Sequence, residues 1–170
     1  QSIEAGDTLA FAHARVLPRI GLARLHHALG RRDLAFRMLD ECRHLRHVRL
    51  DRHFTERIGE IEGHLRIREG DAAGAIAGLP SLRSGRLQLI EVRALAALGQ
   101  HEQALDLLSR VHPPGARRGV QVLLVLARCL PDPAARLSAL REAVALAEQK
   151  GYLRILVDEK TWLVEPMLAL

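Results

Sequence analysis

Aromatic residues are scarce in this chain: one tryptophan, one tyrosine and three phenylalanines among 170 residues. A core built from such a sequence is aliphatic, made of Leu, Ala, Val and Ile. A surface built from it lacks the rings on which nucleotide bases stack. Lysine is nearly missing too, with only Lys150 and Lys160. Cysteine is limited to Cys42 and Cys129, far apart and without Cys-x-x-Cys spacing, so no disulfide framework or zinc motif is written here. Two isolated thiols fit a reducing, cytoplasmic setting in which both are buried and unpaired. No apolar run approaches the roughly 18 residues needed to cross a bilayer, so no membrane partner is expected. The opening Gln1-Ser2-Ile3-Glu4-Ala5-Gly6-Asp7 has no basic stretch ahead of an apolar one, as a signal peptide would. Alternating β-branched residues are almost absent, which argues against a sheet.

Catalytic patterns are missing as well. The chain has no Gly-x-x-x-x-Gly-Lys-Ser/Thr phosphate loop, no Gly-x-Gly-x-x-Gly and no Gly-x-Ser-x-Gly elbow. The serines Ser2, Ser81, Ser84, Ser109 and Ser138 have no patterned His and Asp around them, and nothing supports Asp158 and Glu165 as an acid–base pair. Cys42, His44, His47 and His53 lie close in sequence, but on a helix Cys42 and His44 are about 200° apart and cannot face one ion. His44 and His47 can share a face, yet no further ligand one turn on completes a set. We expect surface histidines, no metal, no cofactor in this segment and no enzymatic activity. His26 and His27 are adjacent, so one should lie near the core and the other near the surface.

What is present is arginine and aliphatic carbon. Apolar residues make up 48% of the chain, the formal net charge is +5 and the pI is about 10.2. The acids Glu60, Glu62, Glu91, Glu102, Asp106 and Glu142 are interspersed among the arginines. That pattern suits salt-bridged helix surfaces, and no recognition helix of helix-turn-helix type stands out.

The most informative feature is a recurring phrase. Gly30 is followed by Ala35, Phe36 and Leu39; Gly70 by Ala75, Ile76 and Leu79; Gly99 by Ala104, Leu105 and Leu108. The offsets are five, six and nine in each copy. A degenerate fourth copy has Pro131 for the glycine and Arg136 for the alanine, then Leu137 and Leu140. The copies begin 40, 29 and 32 positions apart, a period that suits stacked helix–turn–helix units. Glycine after an apolar helical run stops the helix because it enters the left-handed conformation at little cost. The alanine lets the next helix pack closely, and the leucine fills the space between the pair. A single pair would leave an apolar face wet, so neighbours must stack.

These signals predict an all-α, right-handed superhelix of tetratricopeptide-like helix-turn-helix repeats, an alpha-alpha solenoid in one domain over 1–170. The repeats fall at about 7–49, 51–79, 82–111 and 118–150, with a tail helix at 161–169. The first helical stretch, Asp7 to Leu29, is capped by Asp7 or Thr8 and kinked or broken near Leu17 by Pro18. The second runs from Arg32 to Arg49, the third from Asp51 to Arg68 with Phe54, Ile58, Ile61 and Leu65 on one side. Trp162 is expected to pack near Val144 and Ala147 and so to cap the end of the stack.

If each glycine ends a first helix, the residues projecting toward a groove are Arg24 and His27 in the first unit, Arg57, Glu60 and His64 in the second, and Arg86 and Arg93 in the third. Such a groove is polar and mostly cationic, suited to an acidic peptide, a phosphorylated metabolite or a neighbouring domain. An ordinary solvated helix face is the alternative. The positions hold no lysine and no asparagine, unlike the clamp of the chaperone-peptide type of tetratricopeptide groove.

The run Glu91-Val92-Arg93-Ala94-Leu95-Ala96-Ala97-Leu98-Gly99-Gln100-His101-Glu102-Gln103-Ala104-Leu105-Asp106-Leu107-Leu108 resembles repeats in the central helical region of the MalT-like, LuxR-type large ATP-binding regulators. The stretch from Leu140 to Glu159 is similar to that family's closing phrase, an A-L-x-L-A helix followed by G-x-x-R-x-F-x-D-x-G, with Gly151, Arg154 and Asp158 matching. Ile155-Leu156 stands where the family has an aromatic, and Lys160 where it has glycine. The resemblance runs from about Pro18 to the end. It implies a ligand- or partner-sensing domain of a bacterial transcription activator, engaged by a small-molecule inducer or a protein partner and coupled to other domains of the same regulator. ATP would bind only in a separate N-terminal domain, and DNA only through a separate C-terminal helix-turn-helix. The missing initiator methionine fits a piece of such a larger protein. The other reading is a stand-alone tetratricopeptide-type scaffold for protein assembly.

Overall fold

A computed structural model of the chain describes residues 2–45, 52–80, 84–111, 115–159 and 162–164, with side chains from residue 13 onward. Among the described residues the protein is all-helical, without a strand. The elements are α1 (Ser2–Ala28), α2 (Arg32–Arg43), α3 (Arg52–Arg68), α4 (Ala72–Ala77), α5 (Gly85–Ala97), α6 (His101–Ser109), α7 (Ala116–Cys129), α8 (Pro133–Lys150) and α9 (Leu153–Asp158). A further helical turn covers 162–164.

The joints show why the chain folds into pairs. Gly30, Gly70 and Gly99 have φ of 72°, 83° and 76°. The next residues, Arg31, Asp71 and Gln100, adopt φ/ψ of −89°/69°, −89°/60° and −82°/60°. Their N–H groups donate back to His26, Arg66 and Leu95 carbonyls at 2.8, 2.9 and 3.0 Å, which closes a Schellman turn. Their own carbonyls accept from Ala35, Ala75 and Ala104, starting the next helix. One two-residue joint is thus used three times. The alanines five residues on and the leucines nine residues on are all buried. Gly151, with φ 71°, closes a fourth turn of the same kind through Tyr152 N–H to Ala147 O at 2.7 Å.

The degenerate copy is solved differently. Leu130 leaves α7 extended, at φ −62° and ψ 134°. Arg136, in the alanine's place, is exposed, and its guanidinium donates to the carbonyls of Leu130 and Pro131. A long donor side chain here satisfies the helix-end carbonyls that a turn would otherwise bond. Asp132 caps α8 by accepting from Ala135 N–H at 2.8 Å.

Gly99→Val should destabilise the protein by about 1–2 kcal/mol, because a β-branched side chain is strained at positive φ. Gly99→Asn should cost clearly less. Urea midpoints of the two variants check this, and equal midpoints would show that the left-handed turn is not what sets the residue.

The contacts fall into two compact units, Gln1–Leu87 and Gln88–Leu170, with the boundary inside α5. In the first, α1 packs on α2, and α3 packs on α1, α2 and α4. Its core joins Val16, Ile20 and Ala23 of α1, Ala35, Leu39 and Cys42 of α2, and Phe54, Ile58, Ile61 and Leu65 of α3. In the second, Leu89, Val92 and Ala96 of α5 meet Ala104 and Leu108 of α6 and Val125 and Cys129 of α7. Val120, Leu124 and Ala127 of α7 also meet Leu140, Ala143 and Ala147 of α8, with Ile155 and Leu163.

Several expectations are corrected. Pro18 does not break α1, which runs unbroken from Ser2 to Ala28. The proline is exposed, so the carbonyl that loses its N–H partner faces water. Neither Asp7 nor Thr8 caps this helix, since both lie inside it. The second helix ends at Arg43 rather than Arg49, and residues 46–51 lie outside the described set. Trp162 is half-buried and packs against the cluster that contains Ala147; its neighbour Leu163, 3% exposed, belongs to that cluster. The indole also lies under Arg128, 5.7 Å from its guanidinium carbon, and donates to Glu159 Oε2 at 2.8 Å. Most of the tail helix, 165–170, lies outside the described residues.

Candidate functional site

The predicted groove residues fall on repeated positions. Arg24, His64 and Arg93 each stand six residues before a joint glycine, and Arg57 and Arg86 stand thirteen before. Seven residues is two helical turns, so both positions lie on one side of their helix. Their environments differ. Arg24 is exposed on α1, while Arg57, Glu60 and His64 on α3 are half-buried. Arg57 Nε is buried without a hydrogen-bond partner.

In the first unit the structure brings two of these residues together: Arg86 Nη1 donates to Glu60 Oε2 at 3.1 Å. Beside them, Arg52 holds Glu56 at 2.7 Å and, with burial opposing, keeps that carboxyl below the usual range. His27 is drawn elsewhere. Its Nε2 sits 2.8 Å from Glu69 Oε1, though not aligned for a hydrogen bond, and Glu69 also lies 3.6 Å from Arg32. The expected contrast between His26 and His27 is weak, since both are half-buried.

That contact belongs to a polar cluster where the first two joints lie side by side. Arg66 donates to Glu62 at 3.0 Å and to Asp71 at 2.8 Å, and Arg43 also pairs with Glu62. The guanidiniums of Arg32 and Arg66 lie 5.8 and 5.5 Å from the ring centre of Phe36, a cation–π stack. The Arg66 hydrogen bond, then Gly74 N–H, hold the Asp71 carboxyl below its ordinary pKa, and Asp71 raises that of Arg66. Composition hid this cluster; only the joint at Gly70, which fixes where Asp71 lies, marks it.

A depressed carboxylate pKa contributes stability that is present above the unfolded value and is lost as pH falls through the folded one. Below the ordinary carboxylate range, about pH 4, the Asp71 contribution should therefore disappear. Asp71→Asn keeps an acceptor for the cap but cannot ionise. Its helix content should fall less steeply with acid than the wild type's, as followed by circular dichroism. Identical acid slopes would mean that the Arg66–Asp71 pair contributes nothing.

In the second unit Arg93 is not an open cation. It is 8% exposed and pairs with Glu159, which follows α9. Glu159 also accepts from Trp162, so one carboxylate ties α5 to the tail. Arg128 is half-buried, and desolvation pulls its pKa down. Cys42 and Cys129 are free, buried thiols whose pKa values are raised, chiefly by burial.

No group of three or more potential metal ligands occurs among the described residues, and no helix among them is long and apolar enough to cross a membrane. Compared with known protein families, curated proteins and solved structures, the chain matches none.

Proposed function

We propose that the chain is a binding module, a right-handed superhelix of tetratricopeptide-like hairpins that forms the ligand- or partner-sensing region of a bacterial LuxR/MalT-type activator. The observation that carries the repeat reading is the joint: three glycines with nearly one φ, three following residues with nearly one φ/ψ, and the same pair of backbone hydrogen bonds. Identical joints support identical units, and stacked units offer extended surfaces for recognition. The regulator reading rests on the run from Glu91 to Leu108 and on Gly151, Arg154 and Asp158. In this reading, engagement of the repeats by an inducer or protein shifts the whole regulator toward a DNA-binding oligomer, because the ligand favours one of its states over another. The segment itself performs no catalysis and holds no cofactor.

Sequencing the surrounding reading frame tests the proposal. A nucleotide-binding segment upstream and a helix-turn-helix downstream, both in frame, are expected. A start codon just before Gln1 and a stop soon after Leu170 would overturn the regulator and leave a free-standing scaffold.

A further inference from the structure

Beyond α9 the chain turns back onto the helices of the second unit. Glu159 starts one helical turn, its carbonyl accepting from the N–H groups of Trp162 and Leu163 at 3.2 and 3.3 Å. The side chains of that turn reach two helices and the core. The Glu159 carboxylate takes Arg93 of α5 and the Trp162 indole N–H. The Trp162 ring lies under the guanidinium of Arg128 of α7. Leu163 is 3% exposed in the cluster with Val120, Leu124 and Ala147. Arg93 stands six residues before its joint glycine, as Arg24 and His64 do before theirs. The tail therefore sits at a position from which a groove would be offered.

The tail is lightly held. Of α9 only Ile155 is buried, while Leu153, Val157 and Val164 are 51%, 55% and 60% exposed. Segments with few buried apolar groups open at low cost. The turn also leaves one cation unmatched. Arg128 is half-buried over the indole and pairs with no carboxylate among the described residues. A ring face does not replace the paired hydrogen bonds that a carboxylate makes with a guanidinium.

We propose that the turn carrying Glu159, Trp162 and Leu163 is a displaceable strap over a peptide-binding face formed by Arg93 of α5 and Arg128 of α7. The partner is a helical segment of another protein with the strap's own chemistry, Glu-x-x-Trp-Leu, and a further carboxylate for Arg128. The strap shows what the face accepts: a carboxylate and a ring one turn apart, with an aliphatic side chain beside the ring. While it is in place, the partner's apparent affinity falls by the fraction of molecules whose face is open. The second carboxylate gives the incoming helix a bond that the strap lacks. The inference rests on the reading of the chain as a binding module and adds how that module is controlled; it takes nothing from the regulator resemblance. A reading frame without a DNA-binding segment would leave the strap's release unchanged, and a strap that never gives way would leave the reading-frame result unchanged.

The test is fluorescence anisotropy with the full chain and a fluorescein-labelled helical peptide of about four turns. The peptide carries Glu-x-x-Trp-Leu and a second glutamate one turn after its tryptophan. Glu159→Gln, which releases Arg93 and loosens the turn, should bind this peptide at least about tenfold more tightly than the wild type does. Arg93→Met or Arg128→Gln on that background should remove the gain, and so should alanine for the peptide's tryptophan. Trp162→Ala is the second releasing variant should circular dichroism show the first to be unfolded. Equal affinity for the wild type and the releasing variants overturns the proposal and makes the turn a fixed end cover. A gain that survives Arg93→Met and Arg128→Gln overturns it too, because the peptide then binds elsewhere. A wild-type dimer by light scattering that Arg93→Met abolishes also overturns it, since the occupant is then the tail of a second copy.

Discussion

Phe54→Ala is expected to remove about 3–5 kcal/mol of stability, the largest loss from any single truncation in the first unit. Phe54 is 1% exposed and heads the largest fully buried side chains. It closes the core shared by α1, α2 and α3, with His13 edge-on at 4.8 Å and His53 at 5.7 Å. Among the described residues, the only other rings in that core region are those of Phe36 and the histidines, and the side chains that share the core with Phe54 are smaller. Against a typical total of about 5–15 kcal/mol, such a loss leaves the first unit marginal. Phe54→Leu, which restores most of the volume, should cost less than half as much. Urea unfolding gives the numbers. A loss under about 1 kcal/mol for Phe54→Ala would mean that the site collapses to fill the cavity, contrary to a core held by three helices.

The second large effect concerns Arg93 and Glu159. Glu159→Gln should cost up to about 3 kcal/mol, because it takes a carboxylate partner away from a buried guanidinium. The amide still accepts from Trp162, so the loss isolates the ion pair. Arg93→Met should cost a similar amount by stranding the carboxylate. The double variant should cost much less than the two losses added, since removing both charges leaves neither one stranded in the interior. Trp162 is the sole tryptophan, so its emission reports this corner alone. Glu159→Gln should shift that emission to the red as the tail loosens. Additive losses with unchanged emission would show that the pair does not tie α5 to the tail.

The sequence signalled the joints because they are chemically local. A glycine at positive φ, an alanine at a close contact and a leucine between helices are each readable from one residue and its spacing. Phe54, Ile58, Ile61 and Leu65 were legible for the same reason, as a helical stripe. What the spacing could not reveal was where charges go. Arg93 and Arg86 share the character of groove residues in sequence, yet each is neutralised, by Glu159 and Glu60 respectively. Arg93 and Glu159 lie 66 positions apart, and no local rule reaches that far. Of the kink or break expected at Pro18 the break is absent: a proline on the wet side of a helix costs one hydrogen bond and leaves the helix running. Trp162 was legible as a residue packed against the cluster that holds Ala147, but the spacing did not show that its indole N–H would find an acceptor in Glu159.

The absence of acid from α1 beyond Asp7 also bears on the order of events during folding. Helix α3 balances itself, with Arg52 on Glu56 and Arg66 on Glu62 one turn apart. Helix α1 has no carboxylate of its own after Asp7, and Glu41 of α2 meets its Arg19 at 3.3 Å. A helical stretch whose charges are of one sign, as in α1 from Arg15 to Arg24, repels itself along its length. Helix α3 can therefore assemble early and unaided, whereas α1 gains electrostatic relief when α2 brings Glu41 to Arg19. Added salt, by screening that repulsion, should lighten the task of α1 more than that of α3.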